Sequence, residues 1–385
     1  MKRVCIVRQK YYPEQRNLRR NAETLVKEGY EVDVICVGSK VQRKHEMMNG
    51  VNVHRVYFLY HRNNLFWYFF DYTAFFILAS LKLAWLSIRK RYDVIEVCNV
   101  PDFLVFITLF PKLLGSRVIF NMFEKTEQLF VSSFEVSRKH IFTKFINLVT
   151  KISASYADSV IVTDVVVHKK VVESYGIRSK KVTVVLNVVD ESVFNLEPDF
   201  VAGDGNHFQL VVVSSILKRY GIQTLIKAVS LLLKDIPEVK VDIVGDGEYR
   251  PRLEQMARDL GVEGYLNFTG YIPYEKVPLY IARANVCVAP MINDVGTPNK
   301  IFEYFALGKA TVSSNLPGLT ALFDNNYLLY FQPGNVEELA ERILELYRSP
   351  DKRASLGYSA QAIYRKYRWP LMKQKYLGVY KQLLD

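Results

Sequence analysis

Cysteine is scarce in this 385-residue chain: there are four, Cys5, Cys36, Cys98 and Cys287, scattered among apolar runs. Their spacing fits neither a disulfide framework nor a zinc site, which points to a reducing, cytoplasmic setting. The six histidines are equally dispersed, so no metal ligand set can be assembled from sequence neighbours. Low-complexity tracts are missing, and Met1-Lys2-Arg3 runs straight into the apolar stretch 4–7, so no signal peptide is expected. The most hydrophobic region, 64–88, is broken by Asp71 and Lys82. Its uncharged runs fall short of the roughly 20 residues a bilayer span needs. Nucleic-acid-binding motifs are missing too.

What is present is alternation. Strand-like runs at 4–7, 31–37, 51–56, 93–98, 117–120, 159–162 and 182–186 are separated by helical stretches, including 18–27 and 64–90. The pattern repeats with strands at 208–214, 239–244, 265–269, 286–290 and 310–314 and helices at 221–233, 250–260 and 274–284. The segment 190–207, with Pro198, Gly203 and Gly205, has the composition of a linker. Such alternation predicts two α/β, Rossmann-like parallel-sheet domains facing a cleft at their strand ends. The expected boundaries are 1–190, 191–365 and a final helix, 366–385.

Charge is uneven. Residues 1–190 hold 29 Lys+Arg against 17 Asp+Glu, whereas residues 191–385 hold 22 of each. The basic half also contains 57–91, where aromatics such as Phe66, Trp67, Phe70 and Trp85 mingle with Arg62, Lys82, Arg89 and Lys90. An interfacial segment has this character, and so does a helix buried against a sheet. The expectation is peripheral attachment to an anionic membrane surface, on the inner face of the cell membrane, with no nucleic-acid partner.

The stretch from Gly296 to Lys309 is the most chemically pointed. Thr297 suits an N-cap, Pro298 the first helical position, and Gly308 the place just past the end. Lys300 in the first turn opposes the macrodipole, which makes sense if a phosphate sits there on free backbone N–H groups. Glu303 lies one turn on, on the face of Asn299 and Lys300, where a carboxylate can accept hydrogen bonds from a ribose diol. Phosphate beside ribose means nucleotide. After the strand 208–214, Ser215, Lys218 and Arg219 stand at the usual place for a diphosphate, although a solvated basic turn would look the same. Gly245-Asp246-Gly247 lets backbone approach a ligand or simply turns tightly. Tyr271-Ile272-Pro273 could hold a base.

Together these residues resemble the nucleotide-sugar domain of family 4 glycosyltransferases, which have the GT-B fold. Arg219-Tyr220-Gly221, Gly245-Asp246-Gly247, Phe268 to Pro273, and Pro298-Asn299-Lys300-Ile301-Phe302-Glu303-Tyr304 carry the likeness, with Asn187 to Asp190 and Tyr367-Arg368-Trp369. The resemblance implies a nucleotide-sugar donor in the second domain, an acceptor in the first, and a final helix crossing back to the first. It also implies retention of anomeric configuration, no bound metal, no cofactor beyond the donor, and UDP as the more frequent nucleotide. Lys300 and Arg219 would stabilise the diphosphate, Glu303 would hold the ribose, and Glu124 would keep a carboxylate on the acceptor side. Arg16, Asn99 and Asp102 are the candidate acceptor-binding residues, and a lipid-linked saccharide is the expected acceptor. Three departures stand out: Phe123 where many members have His, Val295 where many have a second Glu, and Tyr220 where Lys is usual. They leave a catalytically degenerate GT-B module as the competing reading.

Overall fold

The computed structural model describes residues 1–39, 41–57, 65–134, 140–189, 191, 193–194, 207–294 and 298–385, without the side chains of 65–69 and 133–134. They group into two compact units: Met1–Leu186 with Lys373–Asp385, and Asn187–Met372. The expected linker, 190–207, lies almost entirely outside the described residues.

The first unit is built on β1 (Arg3–Tyr11), β2 (Glu31–Val37), β3 (His45–Met48), β4 (Val51–Val56), β5 (Val94–Cys98), β6 (Arg117–Met122), β7 (Ser159–Val162) and β8 (Val182–Val184). They lie in the order β3-β4-β2-β1-β5-β6-β7-β8, parallel except for the β3–β4 pair. The second unit carries β9 (Phe208–Val213), β10 (Val239–Val244), β11 (Leu266–Gly270), β12 (Val286–Ala289), β13 (Thr311–Ser314) and β14 (Leu329–Phe331). Their order, β11-β10-β9-β12-β13-β14, is the doubly wound 3-2-1-4-5-6 arrangement. The central strands are near-continuous Val/Ile runs because helices cover both faces. In the second unit Leu210, Val212, Val241, Ile243, Val286 and Val288 pack against Leu225, Ile226 and Val229 of the helix Ile222–Leu232. The edge strands β3 and β14 escaped the sequence reading: one is polar, the other three residues long.

The helix Leu65–Lys90 runs unbroken for 26 residues, and its part Phe70–Lys90 is long and apolar enough to cross a membrane by length and composition. It fills the expected helical stretch 64–90, and the expectation that Asp71 and Lys82 leave it too short a span is corrected on length and composition alone. Asp71 is buried, and the Lys82 ammonium lies 4.8 Å from the Trp85 ring centroid, so neither charge breaks the helix. Phe75, Ala79, Leu83 and Leu86 are buried in the core of the first unit, so one stripe of this helix already has a protein partner.

The last helix, Trp369–Leu384, contributes from Lys373 onward to the first unit. Glu96 of β5 is fully buried, and Tyr376 donates its hydroxyl to Glu96 Oε2 at 2.7 Å, as Tyr380 does to the same oxygen. Asn121 Nδ2 donates to the other oxygen at 2.8 Å. A buried carboxylate is tolerable only when its lone pairs are met in this way.

Candidate active site

In the second unit the strand order reverses at β9, which has β10 on one side and β12 on the other. Ligands bind beyond the carboxyl ends of strands at such a point. Backbone hydrogen bonds stitch the loops there: Ile216 N to Asp246 O at 2.9 Å and Ile292 N to Arg219 O at 3.1 Å. The packing leaves no room for side chains. A Cβ on Gly221 (φ +72°) would stand 1.7 Å from Pro290 O, and one on Gly245 would stand 2.0 Å from Ser214 O. A Cβ on Gly247 would stand 2.4 Å from Ile216 O. Loop-to-loop contact thus accounts for glycine at 245 and 247, in keeping with the tight-turn reading.

The helix Asn299–Ala306 follows from this loop cluster. Pro298 occupies the N-cap position rather than the first helical one, because its ψ of 131° is extended, and its own side chain makes no capping bond. Gly296 and Thr297, expected as donor contact and cap, lie outside the described residues. At the other end Gly308 (φ +61°) closes a Schellman motif, with Lys309 N donating to Tyr304 O and Gly308 N to Phe305 O, each at 3.0 Å.

Lys300 points inward: it is 8 % exposed, and its Nζ donates to Ser214 Oγ at 2.9 Å. The same ammonium lies 4.8 Å from the ring centroid of Tyr220, and the Arg219 guanidinium lies 5.2 Å from that ring. Tyr220 thus puts the π-face of its ring beside two cations that would otherwise only repel. Burial lowers the Lys300 pKa to about 8, opposed by the charge of Glu303. Arg219 Nε is buried and has no hydrogen-bond partner among the described residues. Two neighbouring positive groups at a helix start are chemically suited to an oxyanion.

Glu303 is 4 % exposed and accepts from the Tyr274 hydroxyl at 3.1 Å; Tyr274 in turn packs on Phe194 with centroids 5.5 Å apart. Asn299 and Pro298 are half-buried at the same helix start, whereas Ser215 and Lys218 are exposed. Tyr271 is exposed and Ile272 half-buried on the turn after β11. Ser214, Tyr220 and Tyr274 were not among the expected site residues. Ser214 and Tyr220 flank the expected cations in sequence, but Tyr274 meets Glu303 only through the fold.

In the first unit Asn99 and Asp102, the expected acceptor-binding residues, are both buried and hydrogen-bonded to each other and their neighbours. Asn99 Nδ2 donates to Asp102 Oδ1 at 2.9 Å and to Glu124 O at 2.8 Å, while Asn99 Oδ1 accepts from Glu124 N at 3.1 Å. Asp102 also accepts from Thr126 Oγ1 at 2.6 Å and from Thr150 Oγ1. Burial pushes the Asp102 carboxyl up, against these hydrogen bonds, which pull it down. The pair fixes the loop that carries Glu124, whose side chain is half-buried. Arg16 stands exposed in the first turn of the helix Arg16–Lys27.

Comparison with known proteins gives this geometry its context. The family model for glycosyl transferases group 1 matches residues 197–363, and that for Glycosyltransferase Family 4 matches residues 15–193. The chain belongs to the family 4, group 1 glycosyltransferases. An uncharacterised glycosyltransferase of Methanocaldococcus jannaschii is 25 % identical over 94 % of this chain and 93 % of its own. A GDP-mannose-dependent phosphatidylinositol monomannoside mannosyltransferase of Mycolicibacterium smegmatis is 36 % identical over 45 % of this chain and 49 % of its own. Among solved structures, sucrose-phosphate synthase from Thermosynechococcus elongatus superposes with a TM-score of 0.79 at 17 % identity, covering 100 % of this chain and 99 % of that one. Anabaena HepE in complex with UDP-glucose gives 0.76 at 17 % identity, covering 99 % and 100 %. The fold of this glycosyltransferase is therefore GT-B.

Proposed function

We propose that this glycosyltransferase is active and retaining, and moves a hexose from a nucleoside diphosphate sugar to a lipid-linked saccharide. The observation that carries the reading is the inward Lys300, paired with Ser214 and Tyr220 one turn before the buried Glu303. When the bond from the anomeric carbon to the diphosphate breaks, negative charge grows on the leaving oxygens. Lys300, Arg219 and the N–H groups of the helix start lie ready for it without reorganisation. Glu303 holds the ribose hydroxyls, Asn299 and Pro298 line the same helix start, and Glu124 supplies a carboxylate on the acceptor side. No divalent ion is required in this scheme, so activity persists in a chelator. UDP was expected from family frequency, whereas the mannosyltransferase relative takes GDP-mannose, so both nucleotides belong in the test. Calorimetric titration of UDP and GDP into the wild type and Lys300→Ala should show binding that the variant weakens. Equal binding by both proteins would overturn the donor site. Slow hydrolysis of the nucleotide sugar separates enzyme from degenerate module, and the anomer of the product, read by NMR, tests retention.

The lipid partner rests on an apolar face of the first unit. Ile77, Leu81, Trp85 and Ile88 are exposed along the helix Leu65–Lys90, opposite its buried stripe. Ile141, Phe145, Leu148 and Ile152 form a second exposed stripe on the helix Ile141–Tyr156. The segment Asp102–Thr108 packs against both helices, and beyond it Leu113 is 87 % exposed. Arg89, Lys144 and Lys151 rise from the same helices, and the Arg89 guanidinium lies 3.9 Å from the Trp85 ring centroid. An apolar face bordered by cations fits the surface of an anionic bilayer on which the chain docks peripherally.

A further inference from the structure

Arg8 stands on β1 level with Cys98, the last residue of β5, since Val7 pairs with Val97 in the parallel register. It is 2 % exposed, and its guanidinium carbon lies 4.0 Å above the centroid of Phe123. Two of its three guanidinium nitrogens, Nε and Nη1, are buried and have no hydrogen-bond partner among the described residues. An unpaired buried cation is costly, and burial lowers the Arg8 pKa against the pull of Cys98, Glu124 and Glu96. Glu96 does not relieve that cost by contact. One of its oxygens accepts from Asn121 and Cys98, the other from Tyr376 and Tyr380. Glu124 is half-buried, and its backbone is clamped to Asn99 on both sides. Beyond these anions, the helix after β1 has no acid in its first turn, where Arg16 and Arg19 stand, and its N-cap residue Gln15 makes no side-chain capping bond. Arg8 therefore offers planar, directional donors at a strand end inside a unit of net positive charge.

We propose that Arg8 is an oxyanion subsite of the first unit that reads a carboxylate or phosphate ester on the saccharide bound there. The word saccharide rests on the glycosyltransferase reading; the anion preference rests on Arg8 alone. Phe123 supports the flat guanidinium from beneath, and the donors on its edge meet the charged group of the sugar. A neutral sugar would give Nε and Nη1 only uncharged acceptors, which make weaker hydrogen bonds than an oxyanion does.

The test compares glucose, glucuronate and glucose 6-phosphate as additives in thermal unfolding of the full chain, for wild type, Arg8→Gln, Arg8→Lys and Lys300→Ala. One or both charged sugars should stabilise the wild type saturably while glucose does not, and which one responds identifies the oxyanion. Arg8→Gln should weaken that affinity by about tenfold or more, the worth of one charge-assisted hydrogen bond. Arg8→Lys, which keeps the charge but not the planar donors, should fall between, and it carries the test if the Gln variant fails to fold. Lys300→Ala should respond like the wild type. Equal responses to all three sugars, or a charged-sugar response that survives in the Arg8 variants, overturns the proposal. So does a response lost in Lys300→Ala, which would move the anion to the second unit. Nucleoside diphosphate titrations on the same proteins report separately on the donor site, so either reading can fail without the other.

Discussion

Lys300 Nζ lies 2.9 Å from Ser214 Oγ, which ties the first turn of the helix Asn299–Ala306 to the end of β9. Its pKa, lowered to about 8 by burial, makes the ammonium's charge pH-dependent near neutrality. Nucleoside diphosphate affinity should be full below pH 8 and decline as the pH rises through it. Lys300→Arg should flatten that decline, because a guanidinium stays charged. In the folding equilibrium the unfolded chain holds this proton up to its ordinary, higher pKa, so the Lys300 contribution grows more favourable as pH rises above about 8. Affinity and stability should therefore move in opposite directions with pH. Binding near pH 8 should also take up protons, which titrations in buffers of different ionisation enthalpy would register.

Replacing Lys300 by Ala removes a donor to the growing charge and should lower kcat by about a hundredfold to a thousandfold. Steady-state rates with a nucleotide sugar, at saturating donor, measure it.

Glu303 should be read through the sugar of the nucleotide. A ribonucleoside diphosphate should outbind its 2′-deoxy analogue by about tenfold, and Glu303→Ala should erase the difference while weakening both. Tyr274→Phe, which removes the hydroxyl donated to Glu303 Oε1, should have a smaller effect on the same ratio.

Gly221→Ala should destabilise the chain by about 1–3 kcal/mol or more, since φ is +72° and the new Cβ would meet Pro290 O at 1.7 Å. Its denaturation midpoint should fall well below that of Gly261→Ala, where φ is also positive but nothing lies within 4 Å. The contrast separates collision from backbone conformation.

Vesicle co-sedimentation tests the apolar face. Wild type should bind vesicles containing anionic phospholipid and release as salt rises. Leu81→Asp with Ile88→Asp should reduce partitioning by at least about tenfold while leaving nucleoside diphosphate affinity unchanged.

Much of this was legible from the chain because its signals are local. The Val/Ile runs 239–244 and 286–289 mark buried parallel strands through composition, and Lys300 and Glu303 share a helix face through spacing. What stayed hidden depends on residues far apart in sequence. Asn99 and Asp102 looked like polar groups at a strand end, and only the approach of Thr126 and Thr150 shows that their hydrogen bonds are spent internally. Tyr274 could not be joined to Glu303, nor Arg8 to Phe123, without the fold. Arg8 is followed by Gln9 and Lys10 at the end of its strand, so no periodicity singles it out.

The bond from Tyr376 to Glu96 spans 280 positions of the chain. On the ribosome, the stretch Asn187–Met372 emerges as one uninterrupted piece and can condense by itself. The earlier-made sheet must meanwhile wait with one oxygen of its central carboxylate, Glu96 Oε2, lacking its two tyrosine donors until they arrive. The portion synthesised first is thus the one completed last, and a nascent chain stalled before Lys373 should expose it to chaperones.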